Sequence, residues 1–143
     1  MDLDQVVERY HHAAREFAKG DSEPVKALYS RRDDVTLANP FVTAVRGWEE
    51  VSEALDAAAA RFRDGDVTDF DSVATYVGSD LASLLEIERW QAKVGGGEDT
   101  VRFVLRATST FRREDDGWKL VHRHADPTRT TPPFEASESA FRT

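Results

Sequence analysis

At 143 residues, with 40% hydrophobic and 32% charged side chains, the chain has the size and balance of one globular domain, and wholesale disorder is excluded. It contains no cysteine, which removes disulfides, thiol nucleophiles and thiolate metal sites. Its 27 acidic and 19 basic residues give a net charge of −8, a balance that repels a phosphate backbone and argues against a nucleic-acid partner.

In chain order, Leu3, Val6, Val7, Tyr10, Ala13, Ala14 and Phe17 recur at helical spacing and predict a helix over 3–19. Asp2 with Gln5 reads as a capping box, and Gly20 stands where a C′ glycine ends a helix. A short second helix follows, capped by Asp21 or Ser22, with Pro24 in its first turn and Val25 and Leu28 facing inward. Val35-Thr36-Leu37 is a short β-type run stopped by Asn39-Pro40, and 41–46 reads as a loop. Gly47 opens a third helix, with Trp48, Val51, Leu55, Ala58, Ala59 and Phe62 on one stripe, closed by Gly65.

Beyond Val67 the apolar period becomes two. Strands are predicted at 67–77, 81–94, 100–113 and 117–126, with turns at Gly78-Ser79-Asp80, Gly95-Gly96-Gly97 and Asp115-Asp116-Gly117. Helices followed by a meander of long strands indicate an α+β domain over 1–127. Residues 128–143, rich in Thr, Pro and Ser, read as a C-terminal tail. No apolar run approaches the ~18 residues of a membrane span, and MDLDQVVERY lacks the basic and apolar regions of a secretory signal. The expected setting is the cytoplasm, with no membrane partner.

Opposed residues of an antiparallel pair share a face. With Phe111 opposite Trp118, Ala107 meets His122, Leu105 meets His124 and Phe103 meets Asp126. Folding back at the triple glycine adds Leu85, Ile87, Arg89 and Gln91 to that inner face. The other face carries Glu86, Glu88 and Trp90 against Arg106 and Arg123. Glu88, Arg106 and Arg123 read as a cross-strand charge ladder at the contact of a homodimer. A one-residue slip would exchange the two faces.

The segments GDSEPVKALYSRRDDVTLANPF (20–41), RGWEEVSEAL (46–55), LEIERWQAKVGG (85–96) and FRREDDGWKLVHRHADP (111–127) resemble, in that order, the nuclear transport factor 2-like superfamily. Within it they are most similar to SnoaL-like and ketosteroid-isomerase-like proteins. The resemblance implies a cone: a curved antiparallel sheet of four to six strands wrapped around three helices to enclose one pocket. It leaves function open, since that fold carries isomerases, cyclases, dehydratases, hydrolases and non-catalytic association domains. Carried over residue by residue, the ketosteroid isomerase general-base Asp falls on Asn39, its helix Tyr on Ala13, one turn after Tyr10, and its second oxyanion donor on Ala107. Steroid isomerisation by that mechanism is therefore disfavoured. The end WKLVHRHAD is also similar to the calcium/calmodulin-dependent kinase association domain, which keeps a non-catalytic binding or oligomerisation module as the alternative.

His122, His124 and Asp126 alternate on one strand and project to one side. His-x-His suits a metal, but no converging further ligand is evident, so neither metal nor cofactor is assigned. The leading reading is a small-molecule pocket acting on an apolar, oxygenated substrate. In it Asp126 with His124 handles a proton, Arg89 and Asn39 hold oxygen atoms, and His122, Tyr10, Trp48, Phe103 and Leu105 complete the lining. Against it stand plainer roles: Asp126 ending its strand, Arg89 as an ion-pair partner, Asn39 as a turn former and Trp48 as a core aromatic.

Overall fold

The computed structural model describes residues 1–128, so the expected tail, apart from Thr128, lies outside the described residues. The elements run α1 (Leu3–Phe17), α2 (Glu23–Leu28), β1 (Thr36–Asn39), β2 (Val42–Arg46), α3 (Trp48–Ala59), β3 (Phe62–Val77), β4 (Leu81–Val94), β5 (Thr100–Glu114) and β6 (Gly117–Pro127). The six strands form one curved sheet in the order β2-β1-β6-β5-β4-β3, left open at β2 and β3. Every pairing is antiparallel except β1 with β6.

The capping box of α1 is complete, with Gln5 N–H donating to the Asp2 side chain at 2.9 Å and the Gln5 side chain accepting from Asp2 N–H at 3.1 Å. Gly20 adopts φ +100, the conformation expected of a glycine past a helix end. At α2, Ser22 occupies the cap without making a side-chain cap bond; its hydroxyl donates to Asp56 on α3, while Asp21 accepts from Glu23 N–H.

Three departures from the sequence reading matter for the site. Residues 42–46, expected as loop, form β2, because Asn39 Oδ1 accepts from both Phe41 N–H (2.9 Å) and Val42 N–H (3.1 Å) and folds β1 straight back on itself. Phe62 leaves the α3 stripe and opens β3, five residues ahead of the expected start. Gly65 does not close α3. It sits within β3, where a Cβ would lie 2.5 Å from Gln91 O and 2.6 Å from Ala18 O. Three register shifts in β3 accompany this close approach and bend the strand around the helices.

Helices and sheet meet in a core of Val6 and Tyr10 (α1), Val25 and Leu28 (α2), Val51 and Leu55 (α3), and Leu37, Leu84, Phe111 and Leu120 on the strands. A second cluster joins Ala14 and Ala18 to Val67, Trp90, Leu105, Ala107 and Ala125. Residues of both clusters line one cavity.

The inner face differs from the expected one on two strands. β4 pairs β5 with Lys93 opposite Thr100 and Glu88 opposite Leu105, so the hairpin folds between Gly96 and Gly97 and not at Gly96. That single residue turns Leu84, Glu86, Glu88 and Trp90 inward and Leu85, Ile87, Arg89 and Gln91 outward. In β6 a bulge intervenes: Phe111 pairs with Leu120, the next residue, Thr110, pairs with His122, and Val121 is the extra residue. Beyond it Arg123 and Ala125 face the helices, while His122, His124 and Asp126 face away.

Candidate functional site

A cavity of about 500 Å³ opens between α1, α3, the β1–β2 turn and the inner face of β4–β6. That volume suits a small molecule of several rings. Its walls are almost wholly apolar. Phe62, Phe103 and Trp90 form an aromatic bank, Phe103 lying near-parallel to Phe62 at 5.9 Å and to Trp90 at 5.7 Å. Ala13, Ala14 and Ala58 keep the helix side shallow, and Phe41, held under the Arg61 guanidinium at 4.3 Å, stands at the rim. The polar side chains among the lining residues are Tyr10, Asn39 and Arg123.

Arg123 reaches inward because the β6 bulge places it opposite Ser109. Its two terminal nitrogens donate to separate oxygens of Glu88, Nη1 to Oε2 and Nη2 to Oε1, each at 2.8 Å. Glu88 has no exposed surface, and Trp90 Nε1 donates to its Oε1 at 3.0 Å. Arg123 Nη1 also donates to the Tyr10 hydroxyl, which shares a further hydrogen bond with Ser109 Oγ. Every buried side-chain polar atom among the described residues has a partner.

Burial alone would lower the Arg123 guanidinium and raise the Glu88 carboxyl. Their mutual attraction and hydrogen bonds, with Trp90 and the His11 charge assisting Glu88, reverse both shifts, and each group stays ionised. Burial pushes the Tyr10 phenol up to about 12, with the Arg123 charge opposing and the Glu88 charge adding to the rise, so it remains a protonated donor at neutral pH. One step along the same face of β4, His11 Nε2 meets both oxygens of Glu86 at 2.8 and 3.0 Å and its ring stacks on Phe70 at 4.0 Å.

Of the residues expected from the sequence, Tyr10, Asn39, Phe103 and Leu105 line this cavity and five do not. His124 and Asp126 bond each other, Nε2 to Oδ2 at 2.8 Å, on the outer face, with side chains 52% and 44% exposed. His122, beside them, shares a bond with Thr36 Oγ1 at 2.7 Å; its imidazole is held below the usual value by partial burial and then by the His124 charge. Arg89 pairs with Asp71 at 3.2 Å on that same outer side. Trp48 lies at the base of α3, with the Arg31 guanidinium 3.7 Å over its ring. The expected meeting of His124, Asp126 and Arg89 in one hollow does not occur, because the β4–β5 turn and the β6 bulge each displace the register. No cluster among the described residues has the composition of a metal site.

Asn39 lines the cavity while its Oδ1 is engaged by the β-turn, which leaves its amide NH₂ as the free half, a donor. Glu88, Arg123, Ser109 and Trp90 were missed as site residues. A count along β4 contains the signal: the even positions Ala82, Leu84, Trp90 and Ala92 are apolar around Glu86 and Glu88, whereas the odd positions end in Arg89, Gln91 and Lys93.

The profile of the SnoaL-like domain family matches residues 3–128. Among solved structures, a nuclear transport factor 2-like superfamily protein from Salmonella enterica serovar Typhimurium superposes with a TM-score of 0.75 at 19% identity, covering 90% of this chain and 89% of that one. A ketosteroid isomerase-like protein from Erwinia carotovora atroseptica gives 0.72 at 16% identity, with 91% and 95% covered. A proposed dehydratase of the nuclear transport factor 2-like family from Streptomyces avermitilis gives 0.70 at 24% identity, with 90% and 95% covered. At these identities the likeness is one of fold. Among curated proteins none matches the chain.

Proposed function

The chain belongs to the SnoaL-like domain family, and we propose that its cavity binds an apolar, oxygen-bearing small molecule, with the ligand oxygen held at the Arg123–Tyr10 end. The observation that carries this reading is the composition of the 500 Å³ wall: aromatic and aliphatic throughout, with Tyr10, Asn39 and Arg123 as its polar side chains. Apolar walls supply the affinity, and a few convergent polar groups fix orientation.

All the polar groups offered are donors. The guanidinium has no acceptor and Asn39 presents its amide hydrogens, while the protonated phenol, already bonded to Arg123 and Ser109, holds the guanidinium in place. Such a set suits a carbonyl, phenol or ether oxygen and would polarise a bound carbonyl by stabilising developing negative charge. The described lining contains no Asp, Glu or His, so the site supplies an electrophilic anchor and leaves any proton abstraction to water or to the substrate itself.

A fused-ring ketone such as 2-acetylnaphthalene tests the reading. Calorimetric titration should give saturable one-to-one binding, and the ligand should raise the Tm. Ala58→Trp, which fills the helix side of the cavity, should abolish both effects while retaining the circular dichroism of the parent. Binding that survives this substitution would place the ligand elsewhere.

A further inference from the structure

We infer that the cavity selects an uncharged oxygen over a carboxylate of the same shape, and that Glu88 is the residue that sets this choice. The inference rests on the cavity being a ligand site. A guanidinium at the end of an apolar chamber would ordinarily be a carboxylate receptor, since its planar fork matches two carboxylate oxygens. Here the end-on fork is already occupied, and the charge it carries is already balanced. Both terminal nitrogens of Arg123 are bound at 2.8 Å by separate oxygens of Glu88. Glu88 cannot swing aside: it is fully buried on the middle of β4, and the Trp90 indole holds its Oε1 from a third direction.

The charge balance follows. Arg123 and Glu88 sum to zero, and the neighbouring His11–Glu86 pair lies outside the cavity lining. Because Arg123 lines the cavity and Glu88 lies behind it, the ligand meets the positive end of a neutral pair. A neutral oxygen gains single hydrogen bonds there, from the remaining guanidinium N–H groups or the Asn39 amide. A ligand carboxylate would bring an unbalanced charge into apolar walls, because the one positive charge there is already neutralised by Glu88. A buried ion left without its own partner is disfavoured on the order of 100-fold.

The decisive comparison uses two molecules of equal size, 2-acetylnaphthalene and 2-naphthoate, titrated calorimetrically against the protein at neutral pH. The wild-type chain should bind the ketone more tightly by on the order of 100-fold. Glu88→Gln frees the positive charge of Arg123, and the preference should collapse or reverse through a gain in naphthoate affinity, a change that loss of packing alone would not produce. A wild-type chain that binds naphthoate as tightly as the ketone overturns the inference and leaves the binding pocket standing, whereas no binding of either overturns both. An unchanged ratio in a folded E88Q protein also overturns it. Should E88Q not fold, the double variant E88Q/R123M removes both charges together. It should still exclude naphthoate and should hold the ketone roughly 10-fold more weakly for the lost hydrogen bond. Naphthoate binding to that variant at wild-type ketone strength overturns the inference.

Discussion

The two faces of the β4–β6 sheet carry the same kinds of groups and use them oppositely. Inside, Arg123 and Glu88 are 12% and 0% exposed and are locked to Tyr10 and Trp90. Outside, Arg89 with Asp71 and His124 with Asp126 are all close to half exposed. Water already solvates the outer pairs, so forming them gains little. The inner pair has exchanged its water for partners, so removing one leaves a charge with nothing to replace it. The outer motif is the more conspicuous to the eye, but the inner one has the energetic leverage.

Substitutions can break or sharpen that contrast. The largest effect is expected from Glu88→Ala or Arg123→Ala, each destabilising by roughly 3–5 kcal/mol in urea unfolding, whereas E88Q/R123M should recover most of that loss. Single inner variants no costlier than outer ones would show that burial is not what separates the faces. Next comes Tyr10→Phe, which strands Ser109 and one Arg123 donor and should cost about 1–3 kcal/mol. Acid titration sharpens the same point. Glu88 has a folded value below its unfolded one, so its contribution is fully present above the ordinary carboxylate range and is lost as pH falls through the depressed folded value. The double variant should therefore show a shallower acid limb in its stability profile. Arg89→Ala is expected to cost no more than about 1 kcal/mol, shrinking further in high salt. His124→Ala, last, should stay within about 0.5 kcal/mol and leave the affinity for 2-acetylnaphthalene unchanged.

The sequence made much of the architecture legible. The α1 stripe and its capping box, the start and end of β4, and the order of helices before strands all depend on local patterns that tertiary contacts did not override. Tyr10, Phe103 and Leu105 were recognisable as lining for the same reason, since α1 periodicity and β5 alternation held, and Asn39 from its place at the turn that closes the pocket. The rest depended on how strands slide against one another. The β4–β5 turn has three glycines, and nothing local says whether the fold-back is centred on the second or beside it. In β6, Phe111 pairs with Leu120 instead of Trp118, a two-residue displacement that keeps the faces, while Ala107 pairs with Ala125 instead of His122, a three-residue displacement that exchanges them. Val121 alone makes the difference, and its apolar side chain is as much at home in a regular strand as in a bulge.

That unpaired valine also bears on any transfer of residue roles between this chain and its relatives. Ahead of it the even-numbered positions of β6 point toward the helices; behind it the odd-numbered ones do. A homologue whose last strand runs without the interruption must be aligned with a one-residue gap at 121. Without the gap, its interior positions would be equated with surface positions here, and a matching imidazole or guanidinium would be scored as shared chemistry while facing the opposite side of the molecule.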